Sequence, residues 1–144
     1  MEHTTSHENI CFFQEREIMD TKQVIDAYYA AVNAGDWDAW LTLFDDQVVM
    51  DEQLGGHLEG ISILQGAVEG LKKGYSKFLM HPLHVVIEGS QASVIWHCEA
   101  ANASGVPIDA KGANYFQVNN GKITYMANFH DTVPFAPFVN QNLD

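Results

Sequence analysis

The chain reads as an α+β domain with three amphipathic helices packed on one face of a strongly curved, mostly antiparallel sheet. Three observations predict it. Three early segments carry apolar residues at three- and four-residue spacing, each bounded by helix start or stop signals. The later half is a run of segments that alternate with period two, separated by turn residues. With 144 residues, 47% of them apolar, the chain suits one core. Helices followed by consecutive strands segregate into two layers. A bent sheet under a helical lid makes a cone with an opening, a natural place for a small molecule.

Composition narrows the partners. Nineteen acidic against seven basic residues give a net charge of −12, which argues against nucleic acid, whose binding needs clustered lysine and arginine. No apolar run reaches the ~18–20 residues of a membrane span. The polar, acidic N-terminus does not read as a signal peptide. Two cysteines, Cys11 and Cys98, make no disulfide framework, so a reduced, cytoplasmic setting is expected. There is no phosphate-binding glycine loop and no recognisable metal spacing, so no cofactor and no metal are expected.

Residues 1–18 show no clear period and read as a loosely held extension. His3, His7 and Cys11 lie there and carry no metal reading of weight. Met19 is a possible second initiator, and a single domain is expected over residues 19–144. Asp20 to Gln23 resembles a capping box opening a helix, with Val24, Tyr28, Ala31 and Val32 on its inner face. Gly35 ends it in the left-handed conformation, and Asp36 caps a second helix with the stripe Trp37, Trp40, Leu41 and Phe44. A strand follows, with Val48, Met50, Glu52 and Leu54 on one face and Val49, Asp51 and Gln53 on the other. After the break at Gly55-Gly56 comes a third helix with Ile61, Leu64, Val68 and Leu71 inward.

The remaining elements read as strands. Leu83–Glu88 closes at Gly89-Ser90. In 92–101, Val94, Trp96, Cys98 and Ala100 share the inner face. In 108–118 that face holds Ala110, Gly112, Asn114, Phe116 and Val118. Asn119-Asn120-Gly121 turns the chain into 122–130. A two-residue loop would pair Val118 with Ile123 and turn Tyr125, Ala127 and Phe129 inward. A three-residue loop with a glycine bulge would pair Val118 with Lys122 and turn Met126, Asn128 and His130 inward, and this second arrangement is favoured. Pro134 and Pro137 end regular pairing and leave an apolar tail.

Candidate site residues follow from these faces. Glu52 interrupts an apolar row, and an ionised carboxylate facing a core is costly unless paired, so its presence points to a cavity where an acid is used. Asn114 is an inward amide, in a structural hydrogen bond or a ligand contact. Either Tyr28 or its neighbour Tyr29 is the inward tyrosine. His130 is a second acid or base, or a satisfied polar residue at the mouth. Met50, Trp96, Phe116, Met126 and Asn128 complete the inner, substrate-facing set. His81 and His84 flank Pro82 at a strand start and read as exposed, and His97 faces outward. The outer sheet face carries Ile95, Tyr115 and Tyr125, apolar enough to predict a homodimer.

Tyr28, the run Asn33-Ala34-Gly35-Asp36, Phe44 before acidic residues, the strand ending at Glu52, Tyr115-Phe116, Gly121-Lys122-Ile123 and Phe129-His130-Asp131 together resemble the nuclear transport factor 2-like superfamily. The likeness is strongest to ketosteroid isomerases and SnoaL-like polyketide cyclases, and it spans about residues 20–135. It implies a cone-shaped α+β barrel, a small apolar partner, a homodimer, and acid–base proton transfer on a cyclic or polyketide-like carbonyl compound. Ketosteroid isomerases set a tyrosine and a protonated aspartate on a dienolate oxygen, while a second aspartate moves the proton. Carried over, Tyr28 matches the tyrosine, Glu52 replaces the proton-moving aspartate, and Asn114 replaces the oxyanion acid. Tyr28, Asn128 and His130 also imitate the set of scytalone-dehydratase-like enzymes. The alternatives are a non-catalytic binder of an apolar ligand and a dimerisation module, because this fold hosts both enzymes and binders.

Overall fold

The computed structural model describes residues 18–143. The metal-type residues His3, His7 and Cys11, and all but the last residue of the expected extension, lie outside them. Helix α1 (Thr21–Ala34) opens with a reciprocal capping box: Gln23 N donates to Asp20 Oδ1 at 2.8 Å, and Asp20 N donates to Gln23 Oε1 at 2.9 Å. It closes at Gly35, whose φ of +67° lets its N–H reach back to the last carbonyls. Asp36 then caps α2 (Trp37–Leu41) by accepting from Ala39 N at 3.1 Å.

The strands β1 (Phe44–Glu52), β2 (Gly56–Glu59), β3 (Tyr75–Glu88), β4 (Gln91–Asn102), β5 (Pro107–Asn119) and β6 (Lys122–His130) form one sheet in the order β2-β1-β6-β5-β4-β3. All neighbours are antiparallel except β1 and β6. The sheet curves but keeps two free edges, β2 and β3, so it is an open cone and not a closed barrel. Helix α3 (Ile61–Gly74) follows β2, and a 3-10 turn (Val133–Phe135) runs into the short α4 (Ala136–Val139). The core lies between the inner face of α1, the apolar side of α3 and the inner faces of β4 to β6. Val24, Trp96, Phe116 and Ile123 are almost wholly buried there.

Several elements differ from the sequence reading. Phe44 belongs to β1 and not to the second helix, which ends after five residues. The segment Gly56–Glu59, read only as a break, pairs with β1 as an edge strand. Strand β3 begins at Tyr75, eight residues before Leu83. Pro82 is tolerated because β3 is an edge, and the ladder is irregular between Pro82 and His84. His81 is therefore within a strand and half-buried, with Nε2 2.6 Å from Glu99 Oε1. Leu71 is only partly buried because it lines an internal space.

The β5–β6 hairpin combines both anticipated arrangements. Asn119 pairs with Lys122 and Val118 with Ile123, so the loop has two residues, Asn120 and Gly121, both with positive φ (52° and 75°). That is the mirror-image turn Asn-Gly favours, and the expected three-residue loop is not formed. The register then shifts, so that Gln117 faces Tyr125 and Phe116 faces Met126. The extra residue on β6 restores the favoured face. A bulge one step beyond the turn, not in it, sends Met126, Asn128 and His130 inward.

Candidate functional site

The helices and the sheet enclose a cavity of about 300 Å³, in the range of small-molecule sites. Its wall is mainly apolar. Helix α1 contributes Tyr28 and Val32, and α2 contributes Trp37 and Trp40. Leu64 and Leu71 project from α3, Tyr75 and Phe78 from β3. The sheet supplies Met50, Trp96 and Met126, and Phe135 and Phe138 close it from the C-terminal segment. The polar groups come together on the sheet side: Glu52 on β1, Asn114 on β5, Asn128 and His130 on β6, with Tyr28 facing them from the helix.

Of the two tyrosines, Tyr28 lines the cavity and Tyr29 does not. Two side chains one residue apart on a helix point about 100° from each other, so the pair divides its work. The Tyr29 hydroxyl accepts a hydrogen bond from Asn114 Nδ2 at 2.9 Å, behind the wall. Burial is the main cause pushing the Tyr28 pKa up. The Trp40 indole N–H, near the hydroxyl but outside hydrogen-bond geometry, opposes that shift, and the Glu52 carboxylate adds to it. Tyr28 is thus held as a neutral hydroxyl donor. No protein acceptor reaches the buried Trp40 and Trp96 indole N–H groups among the described residues.

Glu52 faces the cavity as the strand alternation predicts. Its Oε2 accepts from Leu54 N at 2.6 Å and also from Gly55 N, folding the carboxylate back over the β1–β2 turn. Two amide donors partner a charge set in an apolar wall. Oε1 makes no hydrogen bond among the described residues. Asn114 is almost fully buried, and its amide N–H already serves Tyr29. The Asn128 side-chain oxygen accepts from Gln53 N at 2.9 Å and so ties the end of β6 to the chain leaving β1.

His130 Nδ1 lies 2.8 Å from the Asp131 carbonyl oxygen. A carbonyl only accepts, so Nδ1 carries the proton and Nε2 of the neutral ring is an acceptor. The ring packs on Phe135 (4.8 Å between centroids) and Trp96 (5.7 Å). Gly112 makes this contact possible. It pairs with Trp96 on one side and His130 on the other, and a methyl group there would lie 2.7 Å from Trp96 Cζ2 and 2.8 Å from His130 Cβ.

One expected wall residue is elsewhere. Phe116 does not line the cavity; it is fully buried behind it, edge-on to Tyr28 (5.1 Å) and Tyr29 (6.4 Å). Conversely, Trp37, Trp40, Tyr75, Phe78, Phe135 and Phe138 line the cavity beyond the wall residues that the sequence pattern predicts. The apolar PFAPFV tail was the visible signal for the last two. Phe138 stacks on Tyr75 at 4.3 Å, and Asn102 anchors this segment by donating from Nδ2 to the Pro137 carbonyl at 2.8 Å. Cys98 sits on the inner side of β4 as a free, buried thiol, its pKa pushed up to about 12 chiefly by burial. Among the described residues, no group of three His, Cys, Asp or Glu side chains is arranged for a metal, and no helix is long and apolar enough to cross a membrane.

Comparison with known proteins agrees with this architecture. No curated protein matches the chain. Among solved structures, a protein from Pseudomonas putida KT2440 provisionally named a polyketide cyclase is 23% identical. It aligns over 83% of this chain and 98% of its own, with a TM-score of 0.76. An NTF2-like protein of unknown function from Burkholderia pseudomallei K96243 is 15% identical over 85% and 99% of the two chains, with a TM-score of 0.77. TerC, co-crystallised with polyporic acid, is 19% identical over 84% and 98%, with a TM-score of 0.74. At these identities the likeness shows the fold. The SnoaL-like domain model matches residues 25–126, from the buried face of α1 to Met126 in the cavity wall. The chain belongs to the SnoaL-like domain family and has the fold of NTF2-like proteins.

Proposed function

We propose that the protein is a cofactor-independent enzyme that moves a proton at a carbon next to the carbonyl of an apolar ring compound, as an isomerase, cyclase or dehydratase. The observation that carries this reading is the convergence of Glu52, His130 and Tyr28 on one apolar cavity. Glu52 Oε1 takes the proton from carbon. The Tyr28 hydroxyl donates to the carbonyl oxygen, on which charge develops, assisted by the polar edge at Asn114. His130 Nε2 is the second proton carrier, able to return or remove a proton elsewhere on the ring. Met50, Trp96, Met126 and Asn128 shape the space around the substrate. A positioned base contributes ~10²–10⁴ in rate and each oxyanion donor a similar factor, so these groups suffice without a cofactor. The neighbours named as polyketide cyclases, and the co-crystallisation of TerC with polyporic acid, support a small cyclic ligand.

Hydrogen exchange tests this directly. Cyclic ketones, enones and phenols incubated in D₂O should lose their carbon-bound proton signals faster with protein. Glu52→Gln should abolish that acceleration, Tyr28→Phe should weaken it, and a large loss in His130→Ala would favour dehydratase or cyclase chemistry over simple isomerisation. A second reading, a non-catalytic binder, is favoured by the two backbone donors on Glu52 Oε2 and by the use of the Asn114 amide on Tyr29. It takes over if no panel member exchanges faster while ligands still bind. We also propose a homodimer through the outer sheet face, where Ile95 is 47% exposed and Tyr115 lies beside Tyr125 at 6.2 Å. A reducing, cytoplasmic setting suits the free thiol of Cys98.

A further inference from the structure

We infer that the cavity selects its ligand by charge: the preferred ligand is a ring compound carrying a protonated nitrogen, and anionic analogues are rejected. This rests on the reading of the cavity as a small-molecule site. Its walls are rich in ring faces, with Trp37, Trp40, Tyr75, Phe78, Trp96 and Phe138 all lining it. The faces of such rings attract cations. Among the described residues no lysine or arginine lines the space, and Glu52 is its carboxylate; the tyrosines, His130, the neutral amides and the Trp40 and Trp96 indole N–H groups are its other polar groups. Two lysines border the adjoining groove on the α3–β3 side, and each has a carboxylate beside it: Lys72 lies 3.6 Å from Glu69, and Lys77 lies 3.8 Å from Glu99. The chain as a whole carries −12, so its long-range field also draws cations inward.

The charge of Glu52 is felt across the cavity. It pushes the hydroxyls of Tyr28 on α1 and Tyr75 on β3 away from ionisation, adding to the larger effect of burial. A carboxylate, phosphate or sulfate on the ligand would meet that same field with no cation to offset it. A substrate ammonium group would instead be stabilised by it. The ammonium would also offset the negative charge left on the ring after proton removal, a service that no lysine or arginine of the lining provides.

Three isosteric probes test the inference by isothermal titration calorimetry at neutral pH and low salt: 2-naphthylmethylamine, 2-naphthylmethanol and 2-naphthoate. The amine should bind about tenfold or more tighter than the alcohol, and the acid about tenfold weaker, as expected for one partly screened charge several ångströms away. Added salt should compress the series. Glu52→Gln, which keeps the shape but removes the charge, should bring the amine and the alcohol close together when both are measured in that variant. If the alcohol binds and the amine binds no tighter, the charge inference is overturned and the ring-binding cavity stands. If the amine's advantage survives Glu52→Gln, the inference is overturned as well. If none of the three binds, both the inference and the cavity reading fail.

Discussion

Gly112→Ala tests the wall of the cavity at its most crowded point. A methyl group added there would stand 2.6 Å from the Phe129 carbonyl oxygen, 2.7 Å from Trp96 Cζ2 and 2.8 Å from His130 Cβ. All three separations are far inside van der Waals contact, and the first involves backbone held in the β5–β6 ladder. Neither neighbouring strand can yield without moving Trp96 or His130. Overpacking of this kind costs ~1–3 kcal/mol, which for a domain of this size lowers Tm by roughly 3–10 °C. Gly66→Ala is the control. It lies in α3 with nothing within 4 Å of the added methyl, and it should stabilise by about 0.5–1 kcal/mol through helix propensity alone. Calorimetric melting of both variants, with ligand titration of the first, gives the answer. Gly112→Ala should melt lower and bind ring compounds more weakly, because it displaces the ring pair that forms one wall. A Gly112→Ala protein as stable as the wild type, binding with unchanged affinity, would refute the reasoning.

All three tryptophans of the chain line the cavity, so a ring ligand should quench or shift most of the intrinsic fluorescence; saturable binding without that change would place the ligand elsewhere. Asn102→Ala removes the donor to Pro137 and the side-chain acceptor of Ser104 N and Val106 N, so a loss of ~2–4 kcal/mol in denaturant melts is expected, with Phe138 released from Tyr75. His57 sets Nδ1 2.6 Å from Asp51 Oδ1 and Nε2 2.8 Å from Glu59 Oε2, and both carboxylates only accept, so the ring is a cation there and its pKa is raised above the ordinary 6.5. Its stabilising effect is full below pH 6.5 and is lost as pH rises through the raised midpoint, while Asp51, whose pKa the Tyr125 hydroxyl and His57 lower, loses its share as pH falls through its own lowered midpoint. An NMR titration should find the His57 midpoint elevated in the wild type and lower in Asp51→Asn; equal midpoints would contradict the pairing. Ile95→Asp should convert the proposed dimer to a monomer in sedimentation equilibrium, and a wild-type monomer at micromolar concentration would remove the dimer from the account.

Much of this fold was legible because local signals agreed with the final packing. The Asp20 capping box, Gly35 and the alternation of Trp96, Asn114 and Phe116 each specify one conformation and one face. The losses came where tertiary context overrode local pattern. Residues 75–82 carry a proline and mixed polarity, yet pair as a long edge strand because β4 is there to receive them. Gly56–Glu59 is too short to alternate visibly and becomes a strand only against β1. In the site, strand parity turns Glu52 toward the cavity, whereas His130 faces it only because a bulge in β6 compensates for a hairpin loop one residue shorter than expected. The partners that decide their chemistry, the amides of residues 54 and 55 and the carbonyl of Asp131, are backbone groups that no side-chain pattern reveals. Phe116 alternates with Asn114 and shares its face, but distance along the strand puts it behind Tyr28 and not beside the open space. The aromatic floor from Phe135 and Phe138 depends on Asn102 and on the bare Cα of Gly74, where a methyl group would meet the Phe138 ring.

A crystal structure of the protein soaked with a small cyclic ketone or phenol is the most direct test of the central claim. The account predicts the ring between Trp96 and the aromatic side chains of α2, its oxygen within hydrogen-bond distance of the Tyr28 hydroxyl, and a carbon next to that oxygen facing Glu52 Oε1. A ligand bound outside the cavity, or a cavity filled by its own side chains, would contradict it.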